Sequence, residues 1–465
     1  MQPMRSHPFD QSRRHFLKAL GAGAAAMAAA GLPNACASAV RKPNLIFILA
    51  DDLGWAELGC FGNIFNETPH LDGLARAGMR FTDAYAAAPV CSPYRAALMT
   101  GQYPARIGIT DYLRPDSPVH LDAEYPTLAA QLRKAGYATG IVGKWHLTGY
   151  AHHGAEEFGP DKHGFNEVLV SERRGIGGGS YFHPYHFNPG IEQRLPGREH
   201  LPERCNLEAL EFIDRHKDEP FFLYLSHYAV HTKLDGKPDL VQKYEEKAGA
   251  GKGFKAPKNN PHLAAQLEVI DNGVGQIREK LEALGLEDNT IIVFTGDNGG
   301  EDRVTTNGIL RAGKSTLYEG GIRVPLILWG PGVIPGNEVC SALTSNVDFY
   351  PTLLACAGAK VPEDTPIDGV SLTPLFENPA GNLGRQTLYW HYPLEKPHFL
   401  GGRSAGALRS GNWKLIEFFD SDTIELYELG QDPGEEHELS AQIPDKAAAL
   451  RRQLHLWRES LGVRV

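Results

Sequence analysis

Two apolar runs constrain this chain more than any other feature. Asn44-Leu45-Ile46-Phe47-Ile48-Leu49-Ala50 and Thr290-Ile291-Ile292-Val293-Phe294-Thr295-Gly296 are short and scarcely interrupted by polar residues. Such runs mark strands buried on both faces, and those belong to parallel sheets covered by helices. Phe221 to Leu225, Leu326 to Trp329 and a stretch from Ala138 to Leu147 extend the pattern. Helical patterns lie between them at Thr68 to Gly78, Pro126 to Gly136, Leu207 to His216 and Leu263 to Leu284, and another begins at Val347. An α/β chain with a mostly parallel sheet is therefore expected. After about Glu377 the character changes. Leu388 to Tyr392, Gly406 to Arg409, Trp413 to Phe418 and Ile424 to Leu429 are short, aromatic and alternating, which predicts a small antiparallel sheet. A final helix is predicted from about Asp445 to Leu461. The expected division is an N-terminal segment over 1–39, a large main unit over 40–376 and a smaller C-terminal subdomain over 377–465. Gly149 to about Pro202 reads as long loops, and Lys233 to Pro261 as a polar, exposed insertion.

Both apolar runs end in oxygen donors. Asp51-Asp52 follows the first and Asp297-Asn298 the second. Adjacent carboxylates repel each other unless a cation joins them, and hard divalent cations favour oxygen ligands. Taken alone, an Asp pair also serves as an ordinary cap. Lys144 and His146 close the Ala138 stretch, and alternation along an extended chain would put them on one face. His231 follows the Phe221 strand, and Lys314 lies in Gly313-Lys314-Ser315. Singly, each reads as a surface lysine or a core histidine. Open α/β sheets nevertheless bind ligands at the carboxyl ends of their strands, where these groups fall.

Cys91 stands in Val90-Cys91-Ser92-Pro93-Tyr94-Arg95-Ala96-Ala97-Leu98-Met99-Thr100-Gly101. Ser92 can cap a helix and Pro93 suits its first position. Arg95 then lies about one turn on. Cys91 is thereby expected at a helix N-terminus, where the dipole favours an anion. A packing cysteine and a nucleophile both fit that position.

Cys91-Ser92-Pro93-Tyr94-Arg95 resembles the Cys-x-Pro-x-Arg signature of type I sulfatases, and Ala-Ala-Leu-Met-Thr-Gly continues the likeness. Gly143-Lys144-Trp145-His146-Leu147 and the Gly-Lys-x-x-x-x-Glu-Gly-Gly pattern from Gly313 are similar to that family too. Lys233 stands where the family commonly has a proline after the histidine matched by His231. The resemblance implies an alkaline-phosphatase-like fold and a sulfuric ester hydrolase. It implies that Cys91 is oxidised to formylglycine, whose hydrate attacks sulfur and forms a covalent sulfate ester. It further implies one Ca²⁺, in preference to Mg²⁺, held by Asp51, Asp52, Asp297, Asn298 and residue 91. Lys144 and Lys314 would neutralise the sulfate oxygens, and Arg95 with His146 would hold the hydrate. His231, with Lys314, would protonate the leaving alcohol, and His146 would take the proton from the second hydroxyl. The polar, aromatic loops and the export signal favour a sulfated sugar or polysaccharide fragment as substrate. The alternatives are a broad arylsulfatase, a phosphomonoester or phosphonate hydrolase on the same fold, and a non-catalytic carbohydrate binder.

Ser12-Arg13-Arg14-His15-Phe16-Leu17-Lys18, an Ala/Gly-rich run from Ala19 to Gly31 and small residues near Ala37 read as a twin-arginine (Tat) export signal. Its apolar run is too short to span a bilayer, and no other segment suggests a membrane span in the mature form. A periplasmic or extracellular location follows, with lipid anchoring at Cys36 as the alternative. Expected partners are the Tat machinery, a formylglycine-generating enzyme and the sulfated carbohydrate. A formal charge of −10 without a long basic run argues against nucleic acid. With the leader removed and Cys91 modified, Cys60, Cys205, Cys340 and Cys356 remain, in spacings that match no zinc pattern and leave any disulfide pairing open.

Overall fold

The computed structural model describes residues 41–150, 155–175 and 181–465. The leader, Cys36, His152 and His153 lie outside the described residues.

Eight strands form the main sheet: β1 (Asn44–Ala50), β2 (Met79–Phe81), β3 (Ala138–Gly143), β4 (Glu167–Leu169), β5 (Phe221–Ser226), β6 (Thr290–Gly296), β7 (Leu326–Trp329) and β8 (Glu338–Cys340). Their spatial order is β4-β3-β5-β1-β6-β7-β2-β8. The five strands from β4 to β6 are parallel, and β7 is antiparallel to both β6 and β2. All seven residues of β1 are buried, as its unbroken apolar sequence requires. Leu45, Phe47 and Leu49 face one layer, with Tyr94, Leu98, Leu128, Leu132 and Phe349. Ile46 and Ile48 face the other, with Leu74, Phe212, Leu267 and Ile270. Each such side chain contributes roughly 1.5–3 kcal/mol by leaving water, so the two-sided burial fixes the sheet in the middle.

The C-terminal sheet runs in order β9 (Thr387–Tyr392), β10 (Ala405–Ser410), β11 (Trp413–Phe418) and β12 (Thr423–Glu428), antiparallel throughout. Its Leu388, Trp390, Ala407 and Ile416 pack on Tyr85, Val90, Leu317 and Ile322 of the larger unit. Its Leu408, Leu415 and Leu426 instead meet Leu450 and Leu454 of the last helix, Pro444–Leu461. The small sheet is thus a two-faced layer between that helix and two segments of the larger unit, one before the Cys91 helix and one after β6.

Three expectations need correction. The helix Cys91–Thr100 starts at Cys91 itself, with Val90 at the cap position and Pro93 third. Ser92 does not cap it; its Oγ accepts from the Leu113 N–H (2.9 Å), because the next loop needs that acceptor more. Lys144 and His146 do not continue a strand. β3 ends at Gly143, which has φ +101°, and His146 has φ +55°, both in the left-handed region.

 
Both residues therefore turn the chain out of the sheet plane. A β-carbon at Gly143 would collide with the Ser226 carbonyl, so glycine is required there. Lastly, the segment from Lys233 to Pro261 is not simply exposed. It contains the helix Pro238–Glu245, whose Val241 and Tyr244 bury against Phe65, Ala264 and Ala265.

Candidate active site

The register of the sheet gathers the predicted groups. Ala50 pairs with Gly296, Leu49 with Ser226, and Gly143 with Ser226. Asp51, Asp297 and Lys144 consequently emerge together at the carboxyl ends of β1, β6 and β3. Asp51, Asp52, Cys91, Arg95, Lys144, His146, Asp297, Asn298 and Lys314 are all buried there. His231, on the segment after β5, is the least enclosed, with 14% of its side chain exposed.

Charge is balanced inside this pocket. Lys144 Nζ contacts Asp51 Oδ2, and Lys314 Nζ lies 2.7 Å from Asp52 Oδ2. Arg95 Nη2 sits 2.7 Å from Asp297 Oδ2 and 3.8 Å from Asp51 Oδ2. Its Nη1 donates to the Lys144 carbonyl (3.0 Å) and to Ser226 Oγ (2.6 Å), so one guanidinium ties four strand ends together. Burial pushes Asp51 upward, but Lys144, His231, Arg95 and Lys314 outweigh it and hold the carboxyl well below the usual range. Burial, reinforced by the nearby Asp51 charge, pushes Asp297 upward instead.

Several buried polar atoms have no partner: Asp51 Oδ1, Asn298 Oδ1, Arg95 Nε and His146 Nδ1. Unsatisfied buried oxygens are costly unless a ligand uses them. Asn298 gives its Nδ2 hydrogen to Asp52 Oδ1 (2.9 Å), which leaves its own oxygen free. Ligand atoms of Asp51, Cys91 and Asp297 lie within 4.8 Å of one another, as do those of Asp52, Cys91 and His231. This oxygen-rich donor set fits a hard divalent cation.

Cys91 opens its helix, beside both lysines. Burial pushes its thiol up to about 11; Lys144 and Lys314 oppose this, and Asp51 and Asp297 reinforce it. The unmodified residue is therefore a neutral thiol near pH 7 and a poor nucleophile. His146 is held neutral at rest, since burial and Lys144 push it well below its ordinary value. Its Nε2 lies 2.8 Å from the Leu113 carbonyl, which places the hydrogen on Nε2 and leaves Nδ1 as a free, buried lone pair.

Sequence reading missed the groups that hold this pocket in shape. Glu172 accepts the N–H groups of Trp145 (3.1 Å) and His146 (2.5 Å) and the Tyr228 hydroxyl (2.8 Å). It lies in the Gly149 to Pro202 stretch, where nothing local distinguishes it from other loop acids. Trp145, Tyr181 and Trp390 are buried and structural: Trp390 donates to the Ala86 carbonyl and Tyr181 to those of Tyr228 and His231. His227 is enclosed and has burial pushing it down to about 3, in keeping with a structural role. The described cysteines are all free.

Comparison with known proteins agrees with the geometry. The twin-arginine translocation signal pattern matches residues 10–30, so the chain carries an export signal. Among the described residues no helix is long and apolar enough to cross a membrane. Arylsulfatase A of Homo sapiens is 35% identical, over 91% of this chain and 89% of the relative. N-acetylgalactosamine-6-sulfatase of Homo sapiens is 31% identical, over 92% and 85% respectively. The crystal structure of Ps i-CgsB in complex with k-i-k-neocarrahexaose superposes with a TM-score of 0.77 at 31% identity, covering 90% of this chain and 93% of that one. The N-sulphoglucosamine sulphohydrolase C-terminal family matches residues 312–460. The sulfatase family matches residues 43–359, and with the site just described this chain belongs to that family, as a sulfuric ester hydrolase of the alkaline-phosphatase-like superfamily.

Proposed function

We propose that this enzyme removes sulfate from a sulfated sugar, with Cys91 oxidised to formylglycine and one divalent cation, Ca²⁺, in the acidic pocket. The observation that carries the reading is Cys91 at a helix start, enclosed by Lys144, Lys314 and an acid cluster with unsatisfied oxygens. A sulfate monoester is anionic and weakly electrophilic, so it needs cations at its oxygens, an in-line nucleophile and a proton for the leaving oxygen.

Asp51, Asp52, Asp297 and Asn298, with residue 91, would hold the cation, which supplies positive charge to the sulfate and to the nucleophile. Oxidised residue 91 supplies, as its hydrate, two hydroxyls on one carbon: one to attack sulfur and one to expel sulfate afterwards. Lys144 and Lys314 bind the sulfate oxygens. Lys314 is pushed upward by Asp52 against the opposing effect of burial, so it keeps its proton at ordinary pH. His231 Nε2 lies 3.7 Å from Asp52 Oδ2, on the same carboxylate oxygen that Lys314 contacts, and this pair delivers the proton to the leaving alcohol. His146 Nδ1 receives the proton from the second hydroxyl, because its lone pair is free and its Nε2 hydrogen is fixed. Arg95 Nε remains free to orient the hydrate.

The likeness to N-acetylgalactosamine-6-sulfatase and to a structure holding neocarrahexaose supports the sugar sulfate, and so does export. The likeness to Arylsulfatase A favours a broad arylsulfatase as the second reading. Delivery by the Tat machinery would place the enzyme in the periplasm or outside the cell, after a formylglycine-generating enzyme has acted. Peptide mass spectrometry across Cys91, on protein from the native host, tests the central step. An aldehyde at residue 91, with hydrolysis of sulfated sugars ahead of p-nitrophenyl sulfate and phosphate monoesters, is expected. Turnover by protein whose Cys91 is an intact thiol in every copy would sink the mechanism, and faster hydrolysis of phosphate esters would sink the substrate class.

A further inference from the structure

Three loops reach the mouth of the pocket, and each is tied beside a group of the proposed machinery. The first carries Tyr112 and Arg114 on either side of Leu113. The Leu113 carbonyl meets His146 Nε2 (2.8 Å), and its N–H donates to Ser92 Oγ (2.9 Å). The second belongs to the connection between β9 and β10. There the His398 N–H donates to the Gly402 carbonyl (2.7 Å), and a β-carbon at Gly402 would collide with the carbonyl of Ser315, the neighbour of Lys314. The third carries Arg303, whose Nε donates to Glu301 Oε1 (2.8 Å). The other oxygen of Glu301 accepts from Thr232 Oγ1 (2.9 Å), next to His231.

At the tips of these loops the side chains form one continuous strip. Arg114 lies 4.4 Å over the Tyr112 ring, Tyr112 meets His398 edge-on at 5.5 Å, His398 stacks on Phe399 at 4.4 Å, and the Arg303 guanidinium lies over part of the Phe399 ring, 5.3 Å from its centroid. His398 is the buried member of the strip, and burial together with the Lys314 charge pushes it down to about 4, so its ring is neutral. Phe399, by contrast, is 69% exposed. A single exposed apolar side chain means little. An aromatic face held in place by three loops, each anchored next to a different reactive group, is a binding surface already in shape.

We propose that Phe399, backed by His398 and partly overlain by Arg303, is the platform against which the sugar ring of the leaving alcohol packs, its apolar face on the exposed part of the phenyl ring and its hydroxyls toward the guanidinium. This rests on the sugar-sulfatase reading above and assigns the surface that selects a ring. The test uses the full chain with the aldehyde at residue 91 confirmed by mass spectrometry. Hydrolysis of p-nitrophenyl sulfate by the unaltered protein checks the reaction. The KM, or the inhibition constant, is then measured for N-acetylgalactosamine 6-sulfate and galactose 4-sulfate, with inorganic sulfate as the ringless probe. Phe399→Ala is expected to raise the constant for at least one sugar sulfate about tenfold and to leave that for inorganic sulfate within about twofold, while Phe399→Trp restores the first. A change below about twofold for both sugars, or a parallel rise for inorganic sulfate, overturns the platform. Failure of the unaltered, aldehyde-bearing protein to hydrolyse any of these esters overturns the sulfatase chemistry itself, a different result.

Discussion

Burial of ionisable groups sets the energetics at the scale of single residues. Glu172 is the clearest case near the site, since its carboxylate fixes the turn that carries Lys144 and His146. Glu172→Gln removes charge and one acceptor and lets that turn shift. A kcat lower by about 10- to 100-fold is expected, with a smaller change in KM, measured by steady-state kinetics on a soluble ester. Glu57 is the clearest case away from it. Burial pushes its carboxyl up to about 7, although Thr305 and Asn66 hydrogen-bond to it. A raised folded-state value means that the folded protein holds the proton more tightly than the unfolded chain. The stability this contributes is full below about pH 4.5 and is lost as pH rises through about 7. The loss amounts to roughly 3 kcal/mol at most. Denaturation of Glu57→Gln across pH 4 to 8 should show a flatter profile, and equal slopes for both proteins would contradict the account. Neither glutamate was legible in the sequence, because a carboxylate's role depends on neighbours far along the chain. Cys91 and Lys144 were legible, but through the company of their motifs; Ser92 was misjudged as a cap because a nearby loop claims its hydroxyl.

Elements were easier to read than residues. The fully buried strands β1, β5 and β6 follow from unbroken apolar runs, which no solvent-facing element tolerates. The four short alternating segments near the C-terminus form the antiparallel sheet expected of them. Pro238–Glu245 escaped notice because its buried face needs only Val241 and Tyr244 amid lysines and acids. The contact that joins the small sheet to the larger unit was also invisible. Lys414 on β11 lies 2.9 Å from Glu319 and 2.7 Å from Glu435, with all three side chains fully buried. Against the upward push of burial, Lys414, Arg323 and Arg409 hold Glu319 down to about 2, while burial pushes Glu435 up to about 7. Lys414→Met strands two acids in the interior and should cost about 3–5 kcal/mol, seen as a lower midpoint in denaturant unfolding. Adding Glu319→Gln and Glu435→Gln should recover much of that loss. No recovery would mean that packing, not charge, dominates the joint.

At the scale of the whole molecule, acids from the ends of β1 and β6 meet in one buried pocket, so binding of the proposed cation there would be linked to folding. Protein stripped with a chelator should lose ester hydrolysis and unfold at a lower temperature. Added Ca²⁺ at about a hundred times its Kd should restore nearly 3 kcal/mol, with Mg²⁺ less effective, as read by calorimetry. No response to either ion would refute the assigned ligands. By itself the sequence determined the α/β class, the strands and the motifs at their ends, because these rest on local hydrophobic patterning and on short strings of residues. Only the tertiary structure decided which groups are satisfied and which are left open. Parallel pairing of β1 with β5 and β6 sets Asp51, Asp297 and Arg95 within contact, and burial there shifts their charges. The loops that bring Tyr112, His398, Phe399 and Arg303 side by side come from distant parts of the chain, so no local pattern could have announced them. Proximity across the fold, and the cost of burying a charge without a partner, are properties of the packed molecule rather than of any stretch of its sequence.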